Sequence, residues 1–212
     1  MSKNAKLYVA LVLNAAIIIS EVLGFWEARS LGWAQFCYYT QISNLLAGIV
    51  SIILVLSLLR KIRDGIPVPA WLTFLKYTTT IMLTQTFLIS LTVLSPTMGG
   101  MKLLMLGPIV RYFHTLCPLL AMISFLCVDP QETSMAKHHT ALAMVPTLLY
   151  GVVAIILNVL RVWHGPYPFL YVYEQPVWLT AVWVVVILGA GFLIALLLRV
   201  VNCRLNREYV YR

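Results

Sequence analysis

The sequence predicts an all-α fold: a polytopic membrane bundle of six transmembrane helices with both termini in the cytoplasm. Three observations carry that expectation. Of 212 residues, 61% are apolar and only 10% charged, with a mean hydropathy of +0.91. A soluble domain carries roughly a quarter charged residues, so this balance belongs to an integral membrane protein. Six stretches approach or exceed the roughly 20 apolar residues a spanning helix needs: 7–27, 36–59, 72–95, 103–127, 141–162 and 177–199. Lys and Arg, finally, are distributed unevenly between the two sets of connections.

Each span ends at a recognisable breaker. GIPVP at 65–69, SPTMGG at 95–100, DPQE at 129–132 and HGPYP at 164–168 separate the later helices. The first apolar run is full length with no A-x-A-like site after it, so a cleavable signal is not expected. No internal repeat and no separate soluble segment stands out, so residues 1–212 are expected to form one six-helix domain. Lys3, Lys6, Arg60, Lys61, Arg63, Lys137, Arg199, Arg204, Arg207 and Arg212 lie on one side, against Arg29, Lys102 and Arg161 on the other. Positive charge stays inside, which puts both termini in the cytoplasm and the segment FCYYTQISN under the opposite face. Trp and Tyr at 26, 33, 38, 39, 163, 167, 171 and 173 are expected to form an aromatic belt there.

The net charge of +8 does not indicate nucleic acid, because the basic residues sit in short loops and the tail. Cys37, Cys117, Cys127 and Cys203 show no C-x-x-C spacing, so neither a metal site nor a disulfide framework is expected. No cofactor is implied.

Ionisable groups inside spans mark function by default, since burial costs several kcal/mol unless they are paired or wet. Lys76 lies near the cytoplasmic end of its span and is expected to snorkel as an anchor. Glu21 lies about 8 Å inside Trp26, and Thr40 about 9–10 Å inside Ala34, at 1.5 Å per residue. By the same rise Arg111 and His114 lie about 12–17 Å inside Leu103, so one pocket under the non-cytoplasmic face could hold all four. Thr40, Ser43, Asn44, Ala47 and Ser51 share a helical face, as do Arg111, His114, Thr115 and Pro118. Pro118 has no N–H, so the His114 carbonyl loses its usual partner and a bend is expected there.

Structural readings compete with functional ones. Thr and Ser in membrane helices usually bond back to the i−4 carbonyl or hold neighbouring helices together, and the run Thr78–Thr80 with Thr84, Gln85 and Thr86 reads as helix-packing polarity. Asn44 can join helices, with Asn14 or Asn158 as partner. Glu21 can neutralise Arg111, or it can orient His114.

T-x-x-S-N at Thr40–Asn44, the H-x-x-x-P of RYFHTLCPLL, and VPTLLYGVVAIILNVLRVWHGPYPFL follow one another in order. Together they resemble the androgen-induced/androgen-dependent membrane hydrolase family and its bacterial relatives, over nearly the whole chain. The resemblance implies a threonine hydrolase in the bilayer that cleaves fatty acid esters of hydroxy fatty acids, with Thr40 as nucleophile and His114 as general base. Two departures bear on the substrate and on any supporting carboxylate. Ser124 stands where the pattern has an acidic residue, as do Leu170 and Tyr171 after YPF.

The residues themselves are compatible with that chemistry. A threonine hydroxyl needs a base to take its proton, and histidine serves near neutral pH. Ser43, Asn44 and Arg111 are candidate supports for the oxyanion, and Glu21 is a candidate third member of a relay. The expected partner is a membrane lipid or fatty acid ester, entering sideways from the bilayer, with WHGPYPFLYVY as a lid. An acyltransferase using the same Thr/His pair, or a non-catalytic transporter or receptor for a small amphiphile, remains open. The sequence does not fix the oligomeric state.

Overall fold

The computed structural model describes residues 2–131 and 135–206, all helix, turn or loop with no strand among them. Glu132 of the fourth connection, and Arg207 and Arg212 of the tail, lie outside the described residues. In chain order the α-helices are α1 (Lys3–Ala28), α2 (Tyr39–Asp64), α3 (Ala70–Ile89), α4 (Met101–Leu106), α5 (Cys117–Ile123), α6 (His138–Leu142), α7 (Val145–Val159) and α8 (Val177–Leu205). Among the described residues six helical segments are long and apolar enough to cross a membrane.

Four boundaries follow the breakers closely. Gly65, at φ 73°, closes α2 and donates its N–H to the Lys61 carbonyl at 3.1 Å, the left-handed cap that glycine adopts at low cost. The fourth span differs from expectation. Gly107 and Pro108 interrupt the predicted 103–127 helix, Ile109 turns to φ 72°, and the crossing segment is Arg111–Val128. Its 18 residues reach about 27 Å at 1.5 Å each, barely the hydrocarbon thickness. Arg111 therefore begins a span instead of sitting deep within one.

The bend expected at Pro118 is absorbed differently too. Residues Arg111–Leu116 wind as a π-helix, and the Cys117 N–H reaches back to the Tyr112 carbonyl. The wider i→i+5 register accommodates a proline one residue later, and such π turns concentrate at functional positions.

Helix α3 is central: every residue from Lys76 to Thr86 is buried, and α2, α5 and α8 pack around it. The hydroxyls of Thr78, Thr79, Thr80 and Thr84 donate to carbonyls one turn earlier, at 2.7–3.1 Å. Four hydroxyls are thus satisfied within one helix. The predicted inward face of α2 is real, with Thr40, Ser43, Asn44, Ala47 and Ser51 all buried. Leu45, Ile49, Ile52 and Leu56 on its far side are exposed and suited to lipid.

Lys76 is not a snorkelling anchor. Its side chain is 3% exposed, and its Nζ donates to Asn14 Oδ1 at 2.7 Å and pairs with Asp129 Oδ2 at 3.8 Å. Asn14 Nδ2 in turn donates to Asp129 Oδ1 at 2.9 Å and Ser124 Oγ at 3.0 Å, and Ser124 donates to the same Asp129 oxygen at 2.8 Å. Asp129, read from sequence as a turn residue, folds back beneath the bundle and supplies the counter-charge that makes burial tolerable.

Candidate functional site

Thr40 is the second residue of α2. Tyr38 before it is extended (φ −89°, ψ 133°) and offers no side-chain cap, so the earliest N–H groups of the helix lack intrahelical partners. At this end Ile42 N–H donates to the Tyr38 carbonyl at 3.2 Å. Buried to 5% exposure, Thr40 lies at the edge of a cleft of about 840 Å³, open mouth included. Polar residues in the same lining are Tyr39, Gln85, Thr86, Ser90, Thr147 and Tyr167. The lining also includes the apolar Val152 and Ile155 of α7 and Val184, Ile187 and Leu188 of α8. Such a cleft suits an amphiphile with its polar group held at Thr40.

Tyr167, Phe169 and Leu170, from the connection between the last two spans, line the cleft. Tyr167 and Tyr39 are each 8% exposed and belong to the cavity, not to the aromatic belt. Trp26, Trp33 and Tyr173 are well exposed and remain suited to an interface. The Tyr39 hydroxyl meets Thr147 Oγ1 at 2.7 Å, and Gln85 Nε2 donates to the Ile187 carbonyl at 2.9 Å, tying α2, α7, α3 and α8 around the cleft.

The Tyr167 hydroxyl oxygen stands 3.5 Å from both the Thr40 backbone nitrogen and Thr40 Oγ1. Both separations are at the outer limit for a hydrogen bond. Burial pushes the Tyr167 phenol up, an effect the neighbouring Thr40 groups partly offset, so it remains an O–H donor through neutral pH.

His114 is 8% exposed and does not line the cleft. Its Nδ1 sits 2.7 Å from the Leu104 carbonyl, which only an Nδ1–H can satisfy. Nε2 is thereby left as an acceptor, the tautomer a general base requires. The next residue, Thr115, donates to the Met105 carbonyl at 2.6 Å, so the short helix α4 holds this turn from outside. No hydrogen bond joins Thr40 to His114 among the described residues.

What links the two is Asn44. Its Nδ2 donates to the Thr40 carbonyl at 2.7 Å and to the Phe113 carbonyl at 3.3 Å. One amide thus bridges the backbone of Thr40 to that of the residue preceding His114. Ser43 Oγ donates to the Thr40 carbonyl at 2.9 Å and meets Thr86 Oγ1 at 3.3 Å. Both donors offered from sequence as oxyanion supports are therefore spent on backbone carbonyls. Asn14 and Asn158, the suggested partners of Asn44, are engaged elsewhere: Asn14 with Asp129, Asn158 with the His164 carbonyl.

The Glu21–Arg111 alternative is overturned. Arg111 pairs with Glu27, whose other oxygen accepts the Ile109 N–H at 2.8 Å, a pairing made possible by the break at Gly107–Pro108. Arg111 is 46% exposed there and is removed from the cleft. Glu21 is 4% exposed, against Gly48 of α2, and its carboxyl oxygens meet no hydrogen-bond partner of normal geometry among the described residues. The polar group beside it is the Cys117 thiol, a weak donor. It does not contact His114 through a hydrogen bond, so a carboxylate–histidine relay is absent here. Among the described residues no group of three or more His, Cys, Asp or Glu side chains could hold a metal.

No family model matches the chain, and neither a curated protein nor a solved structure matches it.

Proposed function

We propose that this multi-pass membrane protein is an intramembrane hydrolase of lipid esters, with Thr40 as nucleophile and His114 as general base. The observation that carries the reading is a buried Thr40 in the lining of a largely apolar cleft. An ester bond would lie at the hydroxyl while its acyl chain runs along α7 and α8. His114 is buried, fixed through Nδ1, and has its Nε2 lone pair available. The resemblance to membrane threonine hydrolases points the same way, and fatty acid esters of hydroxy fatty acids are the first substrates to try.

One observation favours a second reading. Because Thr40 and His114 are not hydrogen-bonded, the same cleft would also serve a binding protein for a small amphiphile. An acyltransferase would share the acyl-Thr40 intermediate and differ only in the acceptor. The deciding experiment incubates purified protein in detergent with a panel of lipid esters, with and without an added alcohol or amine. Free fatty acid from the wild type, lost in both Thr40→Ala and His114→Ala, supports the hydrolase. Acyl transfer dominating when acceptor is present supports the transferase. Ligand binding without turnover, equal in Thr40→Ser and Thr40→Ala, supports the binding protein.

A further inference from the structure

If Thr40 attacks an ester, the negative charge that develops on the carbonyl oxygen needs donors within about 2.7–3.1 Å. Asn44 and Ser43 cannot supply them while their donors are held by the Thr40 and Phe113 carbonyls. Arg111 is turned away toward Glu27. Two donors nevertheless converge beside the Thr40 hydroxyl. One is the Thr40 N–H, at a helix start without a side-chain cap, whose sole acceptor among the described residues is the Tyr167 hydroxyl oxygen at a long 3.5 Å. The other is the Tyr167 hydroxyl, equidistant at 3.5 Å from that nitrogen and from Oγ1.

Tyr167 is rigidly placed for such a part. Its ring stacks on Phe169 with centroids 5.2 Å apart and planes 10° apart, and it meets Tyr38 edge-on at 6.3 Å. Its carbonyl accepts the Leu170 N–H at 2.9 Å, closing the turn through Pro168. Gly165, at φ 90°, supplies the reversal that brings the segment back over α2. The ring is thus fixed by packing, and the hydroxyl is left without a short hydrogen bond of its own.

We propose that Tyr167 is a further catalytic residue, whose O–H and the Thr40 backbone N–H together form the oxyanion hole; this rests on the reading of Thr40 as nucleophile. Thr40 Oγ1 bonds to the ester carbonyl carbon while its proton passes to His114 Nε2. The carbonyl π pair moves onto oxygen, which accepts from Tyr167 and from the Thr40 N–H. Collapse restores the carbonyl, breaks the ester C–O bond, and the departing alcohol takes the proton from His114. Water then repeats the sequence on the acyl-Thr40 and releases the acid. Tyr167 keeps its own proton throughout. With the two donor atoms 3.5 Å apart, an oxygen seated beside the pair can lie about 2.7–3.1 Å from both, each donor exchanging its long mutual contact for the oxyanion.

Tyr167→Phe tests this because it removes the hydroxyl and keeps the ring that packs on Phe169. Loss of one such donor lowers kcat by about 10²–10³-fold, and KM and the melting temperature are expected to stay near wild type. An unchanged kcat in Tyr167→Phe, with Thr40→Ala inactive in the same assay, overturns the proposal and leaves the hydrolase reading standing. Equal turnover by wild type and Thr40→Ala removes the hydrolase reading and this proposal with it. Should Tyr167→Phe fail to fold, 3-fluorotyrosine at position 167 keeps the shape and lowers the phenol's ionisation range. The alkaline fall of kcat must then begin at lower pH than in wild type, and an unshifted profile overturns the proposal.

Discussion

Removing the ammonium of Lys76 should damage this protein more than any other single change of surface-like chemistry. Lys76 and Asp129 are each 3% exposed at the side chain, with Nζ and Oδ2 3.8 Å apart. At that separation two unit charges attract by about 4 kcal/mol for an effective dielectric near 20. Lys76→Met leaves Asp129 hydrogen-bonded to Asn14 and Ser124 but without a cation, and breaking a buried pair from one side costs about 3–5 kcal/mol. In a chain of this size that corresponds to a drop in melting temperature of about 6–20 °C. The assay is thermal unfolding in detergent micelles, followed by circular dichroism, for Lys76→Met, Asp129→Asn and the double variant. The double variant carries no unpaired charge and should recover at least half of the loss. A Lys76→Met protein that melts with wild type, or a double variant that loses the sum of the singles, would refute the reasoning.

Other expectations concern the site. A Cβ on Gly24 would stand 2.5 Å from the Phe113 ring, so Gly24→Ala should displace Phe113, weaken its carbonyl's bond to Asn44, and lower kcat more than it lowers stability; the check is kcat beside a melting curve. Asn44→Ala removes both bonds to the carbonyls of Thr40 and Phe113 and should cost about 1–3 kcal/mol, with turnover falling at least tenfold if the bridge aligns nucleophile and base. Glu21→Gln removes an acid that no described cation compensates and should leave the melting temperature equal or higher, measured in the same detergent. Arg111→Ala breaks a half-exposed pair with Glu27 and should leave both stability and ester turnover close to wild type; a large loss of turnover would return Arg111 to the mechanism.

The spans were legible because apolar length is a one-dimensional property, and so was the inward face of α2, since Thr40, Ser43, Asn44, Ala47 and Ser51 share a helical phase. What failed depended on a break or on a long-range partner. A Gly-Pro pair inside an apolar run ended α4 at Leu106 and moved Arg111 to the start of a span, which exchanged Glu21 for Glu27 as its partner. Asp129 carried no local sign that it would fold back onto Lys76 and Asn14, 53 and 115 residues away in sequence. Sequence places Tyr167 near an interface, whereas its position beside Thr40 depends on a turn at Gly165. The membership of a pocket is a three-dimensional fact. One signal was present in hindsight: HGPYP places an aromatic between two prolines, a rigid presentation uncommon in a plain connecting loop.

The central claim is that Thr40 becomes covalently acylated. Rapid acid quench of the protein with a short-chain lipid ester, followed by peptide mass spectrometry, tests it most directly. The account predicts an acyl mass increment on the peptide containing Thr40, absent in Thr40→Ala and reduced in amount in His114→Ala. Ester turnover by the wild type with Thr40 unmodified at every quench time, and undiminished in Thr40→Ala, would contradict it.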